Sequence, residues 1–199
     1  MATYKEIKGV TIQTRDEDPS LFVGSWASGG ALNTSRSNAG GAGIQTSALM
    51  VGKDGSPQAI VEEYNGSSWT EVGDLTTGRN AKAMGANAEA VLAVGGYDPG
   101  TSTSSVKTES WNGTSWTEVN DYPQNAADVA TGGTSTAGIT IGGNPNLSQT
   151  LEWDGTNFST GGAIPVALAR AAPFGTQTAM VAVGGASPSR SPSDQSTET

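Results

Sequence analysis

One spacing constrains this chain more than any other feature. Four times an aromatic residue is followed, 26 positions later, by a glycine that closes an apolar run: Trp26 and Gly52, Trp69 and Gly95, Trp116 and Gly142, Phe158 and Gly184. Successive aromatics are 43, 47 and 42 residues apart, and the glycines keep the same steps. All variation in length therefore falls between a glycine and the next aromatic. A register held this way is the mark of a repeated supersecondary unit. The runs before the glycines (Ala48-Leu-Met-Val51, Val91-Leu-Ala-Val94, Gly138-Ile-Thr-Ile141, Met180-Val-Ala-Val183) read as strands buried on both faces.

A second recurring element joins the units. Tyr64-Asn-Gly-Ser-Ser-Trp69, Trp111-Asn-Gly-Thr-Ser-Trp116 and Trp153-Asp-Gly-Thr-Asn-Phe158 each set two aromatics around Asn-Gly or Asp-Gly. That dipeptide accepts φ > 0 at both positions, as a type I′ turn needs, and predicts a β-hairpin. With 28 glycines in 199 residues, helix is disfavoured throughout. Each unit reads as four strands: one carrying the anchor aromatic, one running up to Gly43, Gly85, Gly133 or Gly175, the apolar run, and one leading into the next turn. A β-rich period in the forties predicts propeller blades, here four. The chain's two ends fit one another. Thr197-Glu-Thr199 followed by Leu21-Phe-Val-Gly-Ser-Trp26 superposes on Thr108-Glu-Ser-Trp-Asn-Gly-Thr-Ser-Trp116. The expectation is an all-β ring in which the strand at about 21–27 completes the last blade and removes the free edge. Closure between chains, giving a homo-oligomer, is the alternative.

Residues 1–20 stand outside the repeats. Val10 and Ile12 alternate with polar residues as in one short strand, and Arg15-Asp-Glu-Asp-Pro-Ser20 reads as a solvated turn or linker. The segment is either a loosely ordered terminus or a docking strand for a partner. The domain expectation is thus a docking segment over 1–20 and a four-repeat body over 21–199, with repeats starting near Trp26, Trp69, Trp116 and Phe158.

Composition narrows the function. The net charge is −9 and ten basic residues are scattered, so neither a nucleic acid nor an anionic membrane surface is an expected partner. There is no Cys and no His, which removes thiolate nucleophiles, Cys/His zinc sites and His general bases. No apolar run approaches the ~20 residues of a membrane-spanning helix. The opening residues lack the apolar stretch of a secretory signal.

The apolar run, its Gly-Gly pair and the following aromatic pair resemble Kelch repeats over residues 21–199. The resemblance implies a β-propeller. The chain departs from the Kelch pattern in having four residues between its two aromatics, in Lys53 replacing the second glycine of the first unit, and in lacking a third-unit match to Arg36 and Arg79. The opening Ala2-Thr-Tyr-Lys-Glu-Ile-Lys-Gly-Val-Thr-Ile-Gln13, followed by these units, resembles virion structural and tail-fibre proteins of marine bacteriophages. That resemblance implies a non-enzymatic virion protein, exposed on the particle or tail fibre and involved in assembly or host attachment. It also implies other virion proteins as partners of residues 1–20. A carbohydrate-binding propeller module, which would meet a host-surface glycan, is the alternative.

Each candidate for chemistry has a plainer reading. The hairpin aromatics Tyr64, Trp69, Trp111, Trp116, Trp153 and Phe158 could stack on sugars, but their fixed register favours packing between blades. Arg36 and Arg79, each 16 residues before its glycine, could line an anion site or could bind backbone carbonyls; the second is expected. Glu62 and Glu109 could act as a carboxylate pair on glycosides, but recur by register and read as a solvated strand face. Asp16, Glu17 and Asp18 lack the spacing of a calcium loop. Asn65-Gly-Ser and Asn112-Gly-Thr are glycosylation sequons that read better as turns. The copper oxidases among propellers need His and Cys, and Asp154-Gly155 lacks the residue that a sialidase box sets between Asp and Gly. No catalytic residue, cofactor or metal is expected, and a ligand site, if any, is expected on the long loop Tyr97–Ser105.

Overall fold

A computed structural model describes residues 28–55, 58–145 and 147–186. Every regular element among them is a β-strand. The first sheet is a four-stranded antiparallel meander of β1 (Gly40–Ile44), β2 (Ser47–Val51), β3 (Val61–Tyr64) and β4 (Trp69–Glu71). The second joins β5 (Lys82–Asn87) and β6 (Ala90–Val94). A two-stranded excursion, β7 (Tyr97–Asp98) and β8 (Thr103–Ser104), follows, and β9 (Thr108–Trp111) and β10 (Trp116–Glu118) complete the sheet. The third consists of β11 (Ala130–Gly133), β12 (Gly138–Ile141), β13 (Thr150–Trp153) and β14 (Phe158–Thr160). The fourth shows two strands, β15 (Ala172–Thr176) and β16 (Ala179–Val183). The expected strand at 21–27 and its closure of the fourth sheet, the segment 1–20 with Asp16, Glu17 and Asp18, and residues 187–199 lie outside the described residues.

The sheets are offset from the sequence repeats. The strand carrying Trp69 pairs with β3, in register Tyr64↔Trp69, and so finishes the sheet before it. Trp111↔Trp116 and Trp153↔Phe158 do the same. The turns between them are not type I′. Only the glycines take positive φ (Gly66 at 95°, Gly113 at 89°, Gly155 at 96°). The Asn65 carboxamide oxygen accepts the N–H groups of Ser67 and Ser68, at 3.0 Å each. Asn112 and Asp154 repeat this with the residues two and three positions on. A short side chain folding onto its own backbone fixes the turn one residue later than the dipeptide alone predicts.

The first strands, β1, β5, β11 and β15, lie side by side in that order. Apolar residues fill the gaps between sheets. Leu49, Val51 and Val61 of the first sheet meet Ala83, Val91, Ala93 and Trp111 of the second. Met84, Leu92 and Val94 of the second meet Tyr122, Val129, Leu151 and Trp153. Ile139 and Ile141 of the third meet Met180 and Ala182 of the fourth. Glycine permits the closest approach: a Cβ on Gly52 or Gly142 would stand 2.1 or 2.0 Å from the carbonyl oxygen of Arg79 or Leu168 in the next unit. The fourth sheet differs on its far face. Phe174 and Val181 are paired and are 63 and 61% exposed, and Val183 is 49% exposed. Their counterparts Leu92, Val94, Ile139 and Ile141 are buried under the following sheet.

Candidate functional site

The aromatic pairs belong to the packing. Trp111, Trp116 and Trp153 are buried, while Tyr64, Trp69 and Phe158 are half-buried. Ring centroids within each pair lie 4.7–5.3 Å apart in tilted contact. The indole N–H groups of Trp111, Trp116 and Trp153 donate to the carbonyls of Ala88, Gly73 and Ser135. Half of the rings therefore have neither a free face nor a free polar atom with which to meet a sugar.

Glu62 and Glu109 are not on a solvated face. Both are fully buried, each against an arginine: Arg36 with Glu62, and Arg79 with Glu109 at 2.5 Å. The remaining carboxylate oxygens and guanidinium nitrogens have partners as well. Glu62 accepts the peptide N–H of Asn33 and Thr34, and Glu109 those of Thr76 and Thr77. Arg79 donates to the carbonyls of Gly95, Thr77 and Lys107, and Arg36 to those of Met50 and Ile60. Burial alone would raise the Glu62 carboxyl. The N–H groups of Asn33 and Thr34 and the Arg36 guanidinium outweigh it and hold it below the usual carboxylate range. Each pair ties the entry loop of a unit to its third strand in the sheet, and neither faces an open site.

The next units show what this arrangement replaces. The position of Arg36 and Arg79 is Ala126 in the third unit, and the position of Glu62 and Glu109 is Leu151. Thr76, which gives its N–H to Glu109, is matched by Pro123, which has none to give. Leu75 is matched by the larger Tyr122, which is buried beside Ala126 and Leu151. Its hydroxyl lies 3.0 Å from that of Thr140. Arginine, carboxylate and donor thus appear or vanish together. That joint change is visible in the sequence once the repeats are aligned, and it is the signal that identifies Glu62 and Glu109 as buried partners.

The open space lies where the sheets converge. A cavity of about 490 Å³ is lined by the starts of all four first strands, with Gly40, Lys82, Ala130 and Ala171 among its walls. A second, of about 360 Å³, lies on the loop side and is lined by Asp54, Asn80, Tyr97, Pro99 and Asn144. Asn38, Asp128 and Arg170 line both. These three residues stand at one repeat position, 14 before the glycines 52, 142 and 184. All three have left-handed backbone, with φ of 54, 55 and 60°. Asp128 accepts from Arg170 Nε at 3.0 Å and lies 3.8 Å from Lys82 Nζ. On the loop side the Asp54 carboxylate accepts from the side-chain amides of Asn38 and Asn80. Tyr97, the first residue of the expected binding loop, gives its N–H to Asn80 at 2.5 Å. Composition offered no pointer to Asn38, Lys82, Asp128 or Arg170; the repeat aligns Asn38, Asp128 and Arg170, and Lys82 stands one position later in its unit. Among the described residues no cluster of three acidic side chains converges as a metal site would require.

No family model matches the chain. No curated protein matches it either. Among solved structures the chain is similar to YjhT, with a TM-score of 0.55 and 13% identity. The match covers 66% of this chain and 46% of YjhT, so the chain spans about half of that protein's length. At this identity the likeness is one of fold.

Proposed function

We propose that the four sheets are the blades of a small β-propeller and that the chain is a non-enzymatic structural protein of a phage particle. In this reading it is displayed on the particle surface or tail fibre, for assembly or host attachment. The observation that carries the non-enzymatic part is the use made of the recurrent polar residues. Arg36, Glu62, Arg79 and Glu109 are committed to each other and to backbone groups, so the residues that looked most like chemistry act as fasteners. Four first strands in sequence around one shared cavity, and the likeness to YjhT, support the propeller. The phage assignment rests on the resemblance of the opening segment and the repeats. Mass spectrometry of purified particles tests it: the chain is expected among the particle proteins, and its absence sinks the reading. A chain lacking residues 1–12 is expected to keep its fold and lose its place on the particle.

A second reading, a carbohydrate-binding module, draws support from the loop-side cavity. Tyr97 offers a ring, and Asp54, Asn80 and Asn144 offer planar polar groups of the kind that bind paired hydroxyls. A glycan array probed with folded protein separates the readings; no bound glycan would leave the structural role alone.

A further inference from the structure

We propose that the cavity between the starts of the four first strands is a binding site for a small carboxylate anion, held between Lys82 and Arg170. The two cavities that share Asn38, Asp128 and Arg170 carry opposite balances of charge. The loop-side cavity has Asp54 and Asp128 against Arg170, and is net negative. The larger one has Lys82 and Arg170 against Asp128, and is net positive within a chain of net charge −9. An anion is therefore directed to the larger cavity.

Geometry supplies the clamp. Asp128 fixes Arg170 twice, through Nε at 3.0 Å and through the Arg170 peptide N–H donating to the Asp128 carbonyl at 3.0 Å. The Arg170 side chain is 71% exposed at the mouth of the cavity, and its two terminal guanidinium nitrogens have no protein partner among the described residues. Two parallel N–H groups of this kind match the two oxygens of a carboxylate. Lys82 stands at the long distance of 3.8 Å from the other Asp128 oxygen, a contact that an entering anion can take over. The backbone adds a second argument. Asn and Asp, present at the two equivalent positions, tolerate left-handed φ; a long side chain at φ 60° is unusual. Arginine is thus held against its conformational preference, and such positions cluster where a side chain is used for binding. Glycine and alanine on the walls leave about 490 Å³, room for a six-carbon acid rather than a simple ion.

The inference depends on neither functional reading above. It is tested by amide NMR titration of the full-length chain with glucuronate, acetate and glucose. Glucuronate is expected to shift the amides of Lys82, Asp128 and Arg170, and glucose is expected to leave them in place. Acetate that shifts the same amides assigns the recognition to the carboxylate, as for an organic acid; glucuronate acting alone assigns it to an acidic sugar. Arg170→Asn installs the residue already found at position 38, so its backbone is compatible with the site, and it should weaken glucuronate at least tenfold. Lys82→Gln should weaken it less, because the Lys82 contact is a point charge rather than a fork. Unshifted amides with glucuronate, equal shifts with glucose, or undiminished affinity in Arg170→Asn would each overturn the proposal.

Discussion

At the scale of single residues, the chain contains its own comparison of two ways to fill a buried site. Two units use an arginine–glutamate pair in which every guanidinium nitrogen has a partner, and the third uses Tyr122, Ala126 and Leu151. Removing one member of a buried pair strands the other in a site without water, and costs about 3–5 kcal/mol. Arg79→Ala should lose stability on that scale in urea denaturation. The combined change Leu75→Tyr, Thr76→Pro, Arg79→Ala, Ala93→Thr and Glu109→Leu, which copies the third unit, should recover most of the loss. A combined variant no more stable than the single one would refute the equivalence. Acid offers a second test. Folding lowers the Glu62 pKa, so its stabilisation is complete above about pH 4.3, the unfolded value, and drains as pH falls through the lower folded value. The amides of Asn33 and Thr34, which donate to Glu62, should report this titration. Gln124, whose unit has Leu151 in place of a carboxylate, should not.

At the scale of elements, the sequence was most legible where backbone geometry leaves a regular trace. The apolar runs, the glycine pairs and the paired aromatics announce strands and hairpins by spacing alone, and the three meanders follow them. The turn type was less legible. Asn-Gly permits two turns, and the choice depends on where the Asn side chain sends its oxygen. Asn112→Ala removes an acceptor for two N–H groups and should cost about 1 kcal/mol by chemical denaturation. The burial of Glu62 and Glu109 was illegible from their own strands, because the partners that compensate it sit in loops 26 and 30 residues earlier. The shared cavity is illegible for the same reason: Lys82 and Arg170 are 88 positions apart and meet only through Asp128. Glycine at the sheet-to-sheet approach is the sharpest element-scale test. Gly142→Ala would drive a Cβ to 2.0 Å from the Leu168 oxygen, at a φ of 61°. A loss of about 2–4 kcal/mol is expected, larger than for a surface change. A near-neutral result would mean that the third and fourth units are not held by this approach.

At the scale of the whole molecule, each sheet forms from residues adjacent in sequence and rests mainly on the sheets immediately before and after it. The exposed Phe174, Val181 and Val183 mark the place where that succession has no next sheet among the described residues. Light scattering of the full-length chain discriminates the two ways of covering them. A mass near 20.0 kDa fits closure within one chain, and a stable multiple fits closure between chains.

Among the described residues, sheets that meet in succession behave energetically as a short linear array rather than a single knot. Its stability is a sum of units and junctions, and disorder entering at one junction need not reach the far one. Amide exchange should therefore grade along the chain. Protection should be deepest in β6 and β12, which have neighbours on both sides, and shallowest in β16. That grading confines a local opening to the last unit and leaves the others standing.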